Sequence, residues 1–159
     1  MNIHEYQARE LFEKAGIVPE RVELLGRLPD FSDHLSCYNR VDIALDTFPY
    51  HGTTTTCEAL WMGVPVVSLA GKAHASRVGV SLLSNVGLPE LVGSSEEEYV
   101  QIAVQLANNL PRLKSLHSSL RERMQKSPLT DAPRFARDVE MAYREMWRTW
   151  CVRKEDESR

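Results

Sequence analysis

Residues 64–70 read VPVVSLA, an apolar run interrupted by a single serine. A run this short and this continuous suits a strand covered on both faces, the position of an inner strand in a parallel sheet. Upstream, VDIALDTF (41–48) alternates Val41, Ile43 and Leu45 in the manner of another strand. Between the two lies HGTTTTCEALWMG (51–63), which reads as a loop entering a helix, with Gly63 placed to close the helix at C′. Strand, helix and strand in that order make a β-α-β unit, because parallel neighbours need a crossover. The expected class is therefore α/β, with a short parallel sheet.

The flanks extend this pattern. NIHEYQARELFEKAGI is expected to be a helix, with Asn2 and Glu5 at capping-box spacing. RVELLGRL (21–28) reads as a strand, and residues 31–41 as a helix capped by Asp30 or Ser32. After the β-α-β unit comes a helix from about Ala75, then one at SSEEEYVQIAVQLANNL, whose Ser95 and Glu98 form a second capping box. Two further helices make a helical C-terminal third. In the last of them Phe135, Val139, Ala142, Tyr143, Met146, Trp147 and Trp150 fill one side, and Trp61, Trp147 and Trp150 are expected in the core. The closing VRKEDESR is a charged tail.

At 159 residues, 43% apolar and 26% charged, the chain suits one domain with a sizeable core. A net charge of −3 gives no electrostatic reason to expect nucleic acid or an anionic membrane as partner. No apolar run approaches the ~20 residues of a membrane span, and the N-terminus has no apolar signal core. Cys37, Cys57 and Cys151 are scattered without CxxC spacing, which suggests neither a disulfide frame nor a zinc site. The expected setting is cytoplasmic.

Chemistry concentrates at Thr53–Thr54–Thr55–Thr56, between a strand and a helix. In an open parallel sheet, ligands bind at the carboxyl ends of strands, where loops meet helix N-termini. The first turn of a helix exposes unpaired amides and roughly half a positive charge, a natural place for a phosphate or diphosphate. Gly52 lets the backbone approach closely, and the threonines add hydroxyls. Thr55 and Glu58 also have capping-box spacing, so the loop reads equally as a helix cap or as an anion site. His74, Arg77 and Lys72 lie in the next loop, within reach of a phosphate or sugar; Arg77 equally suits a helix carboxylate. His117 reads as helix surface and His51 as a loop variant.

RVDIALDTFPYHGTTTTCEALWMGVPVVSLAG, then HASRVGVSLLSNVGLPELV and RERMQKSPLTDAPRFARDVEMAYREMW, resemble the C-terminal part of the catalytic region of the O-GlcNAc transferase/SPINDLY family in its bacterial form. The similarity runs from about residue 11 to 151. It implies a partial Rossmann-like C-terminal lobe of a GT-B glycosyltransferase, with residues 1–20 an N-terminal helix, 21–151 the nucleotide-sugar-binding lobe and 152–159 a tail. It implies a nucleotide-sugar donor, UDP-GlcNAc in one branch and GDP-fucose in the other, an inverting transfer to Ser or Thr of a protein acceptor, and no metal or other cofactor. By resemblance Thr54 and Thr55 hold the donor diphosphate, Thr53 stands where animal enzymes have a histidine, and Glu58 stands where they have the aspartate that binds the ribose. His34 matches the histidine lying against the base, and His51 a position where many bacterial relatives have asparagine. The lysine and arginine that flank that base histidine in animal enzymes have no counterpart in PDFSDHLSCY, which leaves UDP against GDP open. The donor-binding set is thus Thr53, Thr54, Thr55, Glu58, His34, Gly52 and Arg77, with no catalytic residue assigned.

The resemblance also implies missing parts: the tetratricopeptide repeats, the N-terminal lobe with its catalytic histidine, and the front of the C-terminal lobe. A fragment, inactive in transfer by itself, is the expectation. The alternative is a stand-alone nucleotide-sugar-binding module without catalysis. The opening MNIHEYQARELFEKAGI resembles the start of the succinyl-CoA synthetase β subunit as well, a remote third reading.

Overall fold

The computed structural model describes residues 3–157 other than positions 27 and 29, with side chains described from residue 6 to residue 154. Two compact units are present, Met1–Ser36 and Cys37–Arg159.

The N-terminal unit contains α1 (Ile3–Lys14), a 3-10 turn (Pro19–Arg21) and α2 (Phe31–Cys37), which runs on past the unit's last residue. Gly16, at φ 78°, turns the chain after α1. The capping pair Asn2 and Glu5 lies outside the described side chains. The strand expected over 21–28 is not formed: its described residues after the 3-10 turn are irregular. An extended segment needs a ladder partner, and no other strand occurs among the described residues of this unit.

The larger unit holds the sheet, β1 (Ala44–Leu45), β2 (Val66–Leu69) and β3 (Val92–Gly93), parallel and in the order β1-β2-β3. Ala44 pairs with Val66 and Leu45 with Val67, while Ser68 pairs with Val92 and Leu69 with Gly93. β2 is central and buried at every position, as its continuous apolar run requires. β1 shrinks to a two-residue edge, and Leu45 faces out at 58% exposure. β3 escaped the pattern because two residues after the Pro89–Leu91 turn are too few to show a period.

Five α-helices follow β1: α3 (Thr54–Trp61), α4 (Val78–Asn85), α5 (Glu96–Ala107), α6 (Leu110–Lys126) and α7 (Ala132–Glu157). Gly63 ends α3 as expected, at φ 88°. Its N–H donates to Leu60 O at 3.1 Å and that of Val64 to Ala59 O at 2.8 Å, the paired bonds of a Schellman closure. Ser95 Oγ accepts the Glu98 N–H at 3.2 Å, as the second capping box requires. The Glu98 carboxylate turns to Ser94 instead of back to Ser95, and its bonds to the Ser94 hydroxyl and N–H lower its pKa.

Leu60, Val66, Val67, Leu83, Leu88, Leu91 and Leu106 form the core around β2. α6 closes it with Leu113, Leu116, Leu120 and Met124, spaced to share one helical face. The expectation for the last helix was different from what is found. Phe135, Tyr143, Met146, Trp147 and Trp150 of α7 are exposed, Trp147 at 63%. α7 packs at its start against the 3-10 turn Pro128–Thr130, and the stripe beyond is exposed among the described residues, with Trp147 and Trp150 stacked on each other at 5.1 Å. Trp61 is also partly exposed, with the Arg121 guanidinium over its ring at 5.4 Å. Among the described residues no helix is long and apolar enough to cross a membrane.

Candidate functional site

The carboxyl ends of β1 and β2 point toward the loop that enters α3, the placement expected for a ligand site in a parallel sheet. Thr53 is the N-cap of α3 and forms no side-chain cap bond. Thr54 and Thr55 occupy the first helical turn, and all three side chains are exposed. Thr56 differs: it is 4% exposed, and its hydroxyl donates to Gly52 O at 3.0 Å. The run therefore splits into three outward hydroxyls and one inward anchor.

The Thr55/Glu58 capping box does not form, because α3 already begins at Thr54 and Thr55 lies inside it. Glu58 is engaged elsewhere. Tyr38 Oη, carried on the 3-10 turn Tyr38–Arg40, donates to Glu58 Oε2 at 3.4 Å and lies 3.2 Å from Thr55 O. Burial, and then the Glu58 charge and hydrogen bond, push the Tyr38 hydroxyl up to about 12, so it stays a donor over the physiological range. The same carboxylate, after burial, raises the Cys57 thiol.

Gly52 is needed by geometry: a Cβ there would lie 2.5 Å from Thr55 Oγ1 and 2.8 Å from Thr56 Oγ1. Its N–H donates to Asp46 Oδ1 at 2.9 Å, tying the loop to the end of β1. A hollow of about 160 Å³ beside α3 is lined by Tyr38, Asp46, Thr47, Gly52, Thr55 and Thr56, among others.

Thr53 also borders a larger cleft of about 590 Å³, whose opposite wall includes His74, Arg77 and Ser81. His74 starts a 3-10 turn (His74–Ser76), and Arg77 links that turn to α4. Arg77 Nη1 donates to Gly71 O at 3.3 Å, and no carboxylate pairs with it among the described residues. Lys72 is exposed in the same loop. The structure thus sets Thr53 and Arg77 on one cleft and Gly52 and Thr55 on the hollow beside α3, with Thr54 in the first turn of that helix and Glu58 in its second. His34 belongs to the N-terminal unit, half-buried on α2 with its ring stacked on Phe31 at 6.4 Å. His117 is half-buried, its Nε2 3.0 Å from Asp42 O, so it helps join α6 to the segment before β1.

Sequence reasoning assigned no role to Tyr38, Asp46 or Ser68, and it read His51 as a loop variant, whereas the His51 ring is buried and hydrogen-bonded. Tyr38 was read as part of a helix. Asp46, His51 and Ser68 form a buried cluster beneath the loop, 9%, 1% and 0% exposed. The trio is not a hydrolytic triad: the Ser68 hydroxyl has no access and donates to Asp46 Oδ2 at 2.8 Å.

A short parallel sheet flanked by helices, with an open helix N-terminus at its carboxyl edge, makes an α/β lobe of the kind that binds ligands at that edge. Residues 2–139 match glycosyl transferase family 41, and the chain belongs to that family. It is 52% identical over 141 residues to a Solanum lycopersicum protein named probable UDP-N-acetylglucosamine–peptide N-acetylglucosaminyltransferase SPINDLY, covering 89% of this chain and 15% of that one. The rice relative of the same name is 54% identical over 136 residues, covering 86% of this chain and 15% of its own. A Caenorhabditis elegans UDP-N-acetylglucosamine–peptide N-acetylglucosaminyltransferase is 31% identical over 149 residues, 91% of this chain and 13% of that one. Among solved structures, a variant of the Thermobaculum terrenum O-GlcNAc transferase superposes with a TM-score of 0.87 at 43% identity, covering 95% of this chain and 29% of the other. The chain therefore spans about 15% of the length of the SPINDLY relatives. The family match begins at residue 2, so it takes in the opening segment from its second residue.

Proposed function

We propose that this chain is the donor-binding part of a protein O-glycosyltransferase of the O-GlcNAc transferase/SPINDLY type. Its ligand is a nucleotide sugar resembling UDP-GlcNAc. The observation that carries the reading is the split of the threonine run: three exposed threonines surround an open helix N-terminus that none of them caps with its hydroxyl from the N-cap position.

In this reading the diphosphate accepts hydrogen bonds from the first amides of α3 and from the hydroxyls of Thr54 and Thr55, with Thr53 at the edge. Arg77 supplies a full positive charge from the opposite wall. Glu58, oriented by Tyr38, accepts the ribose hydroxyls. When a Ser or Thr hydroxyl of an acceptor protein attacks the anomeric carbon from the face opposite the diphosphate, the carbon–oxygen bond to the nucleotide breaks. Negative charge then grows on the departing phosphate oxygen, where the helix dipole and the loop donors stabilise it more than they stabilise the ground state. The acceptor proton passes to a base that this reading does not place on the present chain. The partners are a nucleotide sugar and, in the intact enzyme, an acceptor protein.

Isothermal titration of the purified chain with UDP, GDP and their sugar conjugates tests the proposal. Saturable binding of at least one nucleotide diphosphate is expected. No heat with any of them overturns it.

A further inference from the structure

Beneath the threonine loop, His51 bonds to three separate segments. Its backbone N–H donates to Ala75 O at 3.0 Å, in the loop that carries His74 and Arg77. Its ring Nδ1 accepts the N–H of Gly79, in the first turn of α4, at 3.0 Å. With Nδ1 an acceptor, the ring proton sits on Nε2, which is 2.9 Å from Leu69 O at the end of β2. Ser68 Oγ lies 3.4 Å from Nδ1 while donating to Asp46 Oδ2, and Asp46 Oδ1 holds the N–H of the next residue, Gly52. The ring is 1% exposed, so these bonds do not compete with water. Gly79 has no room for a side chain: a Cβ would lie 2.2 Å from Ser68 Oγ and 2.5 Å from Asp46 Oδ2.

From this geometry we infer that His51 is the positioning residue of the nucleotide site: by bonding at once to β2, to the loop bearing Arg77 and to α4, it sets the spacing between the threonine wall and the Arg77 wall of the cleft. Residues 51 and 52 are both fixed, and Thr53 springs directly from them. The Arg77 wall is held at Ala75 on one side of Arg77 and at Gly79 on the other. One buried ring thus couples the two walls that would face a diphosphate. The inference rests on the donor-binding reading above, and it gives His51 no contact with the ligand.

The test compares the wild-type chain with His51→Leu, which removes both ring nitrogens, and His51→Asn, whose side-chain oxygen keeps an acceptor near the Nδ1 position but offers nothing to Leu69. Each is titrated with UDP and GDP, its folded fraction is measured by urea unfolding, and amide exchange is followed at Gly52 and Gly79. Both variants should be less stable than wild type. Binding by the folded chain should weaken about tenfold in His51→Leu, the scale of one lost hydrogen bond, and recover in His51→Asn together with Gly79 protection. A residue that only stabilised the fold would leave the affinity of folded His51→Leu unchanged, and that result overturns the inference while leaving nucleotide binding intact. If His51→Leu does not fold, Ser68→Ala decides, because it removes the hydroxyl beside the ring that also holds Asp46: wild-type affinity together with wild-type Gly79 protection in that variant overturns the inference. A wild-type chain that binds neither nucleotide leaves no site to position and overturns both readings.

Discussion

Replacing Thr54 and Thr55 together by valine separates a diphosphate cradle from an ordinary helix start. Both side chains are exposed and both stand in the first turn of α3, where valine keeps the β-branched shape and removes only the hydroxyl. Stability should therefore change by less than about 0.5 kcal/mol. Affinity should change more. A hydrogen bond to a charged group contributes about 1.5–3 kcal/mol, less where solvent competes, and the helix amides remain in place. A combined loss of about 1–3 kcal/mol follows, roughly 5- to 150-fold in Kd. Thr56→Val is the internal control. Thr56 is buried and its hydroxyl bonds to Gly52 O, so its loss should cost about 1 kcal/mol of stability. Calorimetric titration with UDP and GDP, paired with urea unfolding, reads both quantities. If the wild type binds and the double variant binds equally well, the threonines are not phosphate ligands and the reasoning fails.

Two other consequences concern stability and association. The Tyr38 hydroxyl is raised to about 12 in the folded chain from its ordinary value of 10.0, mainly by burial and then by Glu58. Between those values the unfolded chain has lost this proton and the folded chain has kept it, so the contribution is full below the lower value and is lost as pH rises through the upper one. Urea unfolding across this alkaline range should show stability falling with pH, with a shallower fall in Tyr38→Phe; identical slopes would show that Tyr38 is not shielded. The uncovered stripe of α7, with Phe135 at 68% and Trp147 at 63% exposure, should make the isolated chain self-associate. Sedimentation velocity over a dilution series should show this, and Trp147→Glu should reduce it without unfolding the chain. A wild-type chain that stays monomeric throughout contradicts the expectation.

The β-α-β unit was readable in the sequence because β2 is apolar at nearly every position and Gly63 marks the end of α3. Both signals are local. β3 was not readable, since two residues carry no period, and the strand expected at 21–28 had the right composition but no partner. The α7 stripe shows the limit of amphipathic reasoning. Periodicity shows which face is apolar but not whether this chain covers it. At the site, the outward threonines were legible as a run at a strand-to-helix junction. The inward residues were not: Asp46, His51 and Ser68 meet only because Asp46 and Ser68 come from neighbouring strand ends, and no linear spacing encodes that meeting. The Tyr38–Glu58 bond was hidden for a different reason. The helix expected over 31–41 breaks into α2 and a 3-10 turn, which redirects the tyrosine toward α3.

The most direct test of the account is a map of backbone amide chemical shifts as UDP or GDP is added to the labelled chain. If the diphosphate lies on the α3 N-terminus, the largest changes fall on the amides of Thr53, Thr54 and Thr55, with Arg77 following and α6 unmoved. Saturable binding whose largest changes lie away from this loop would contradict the central claim.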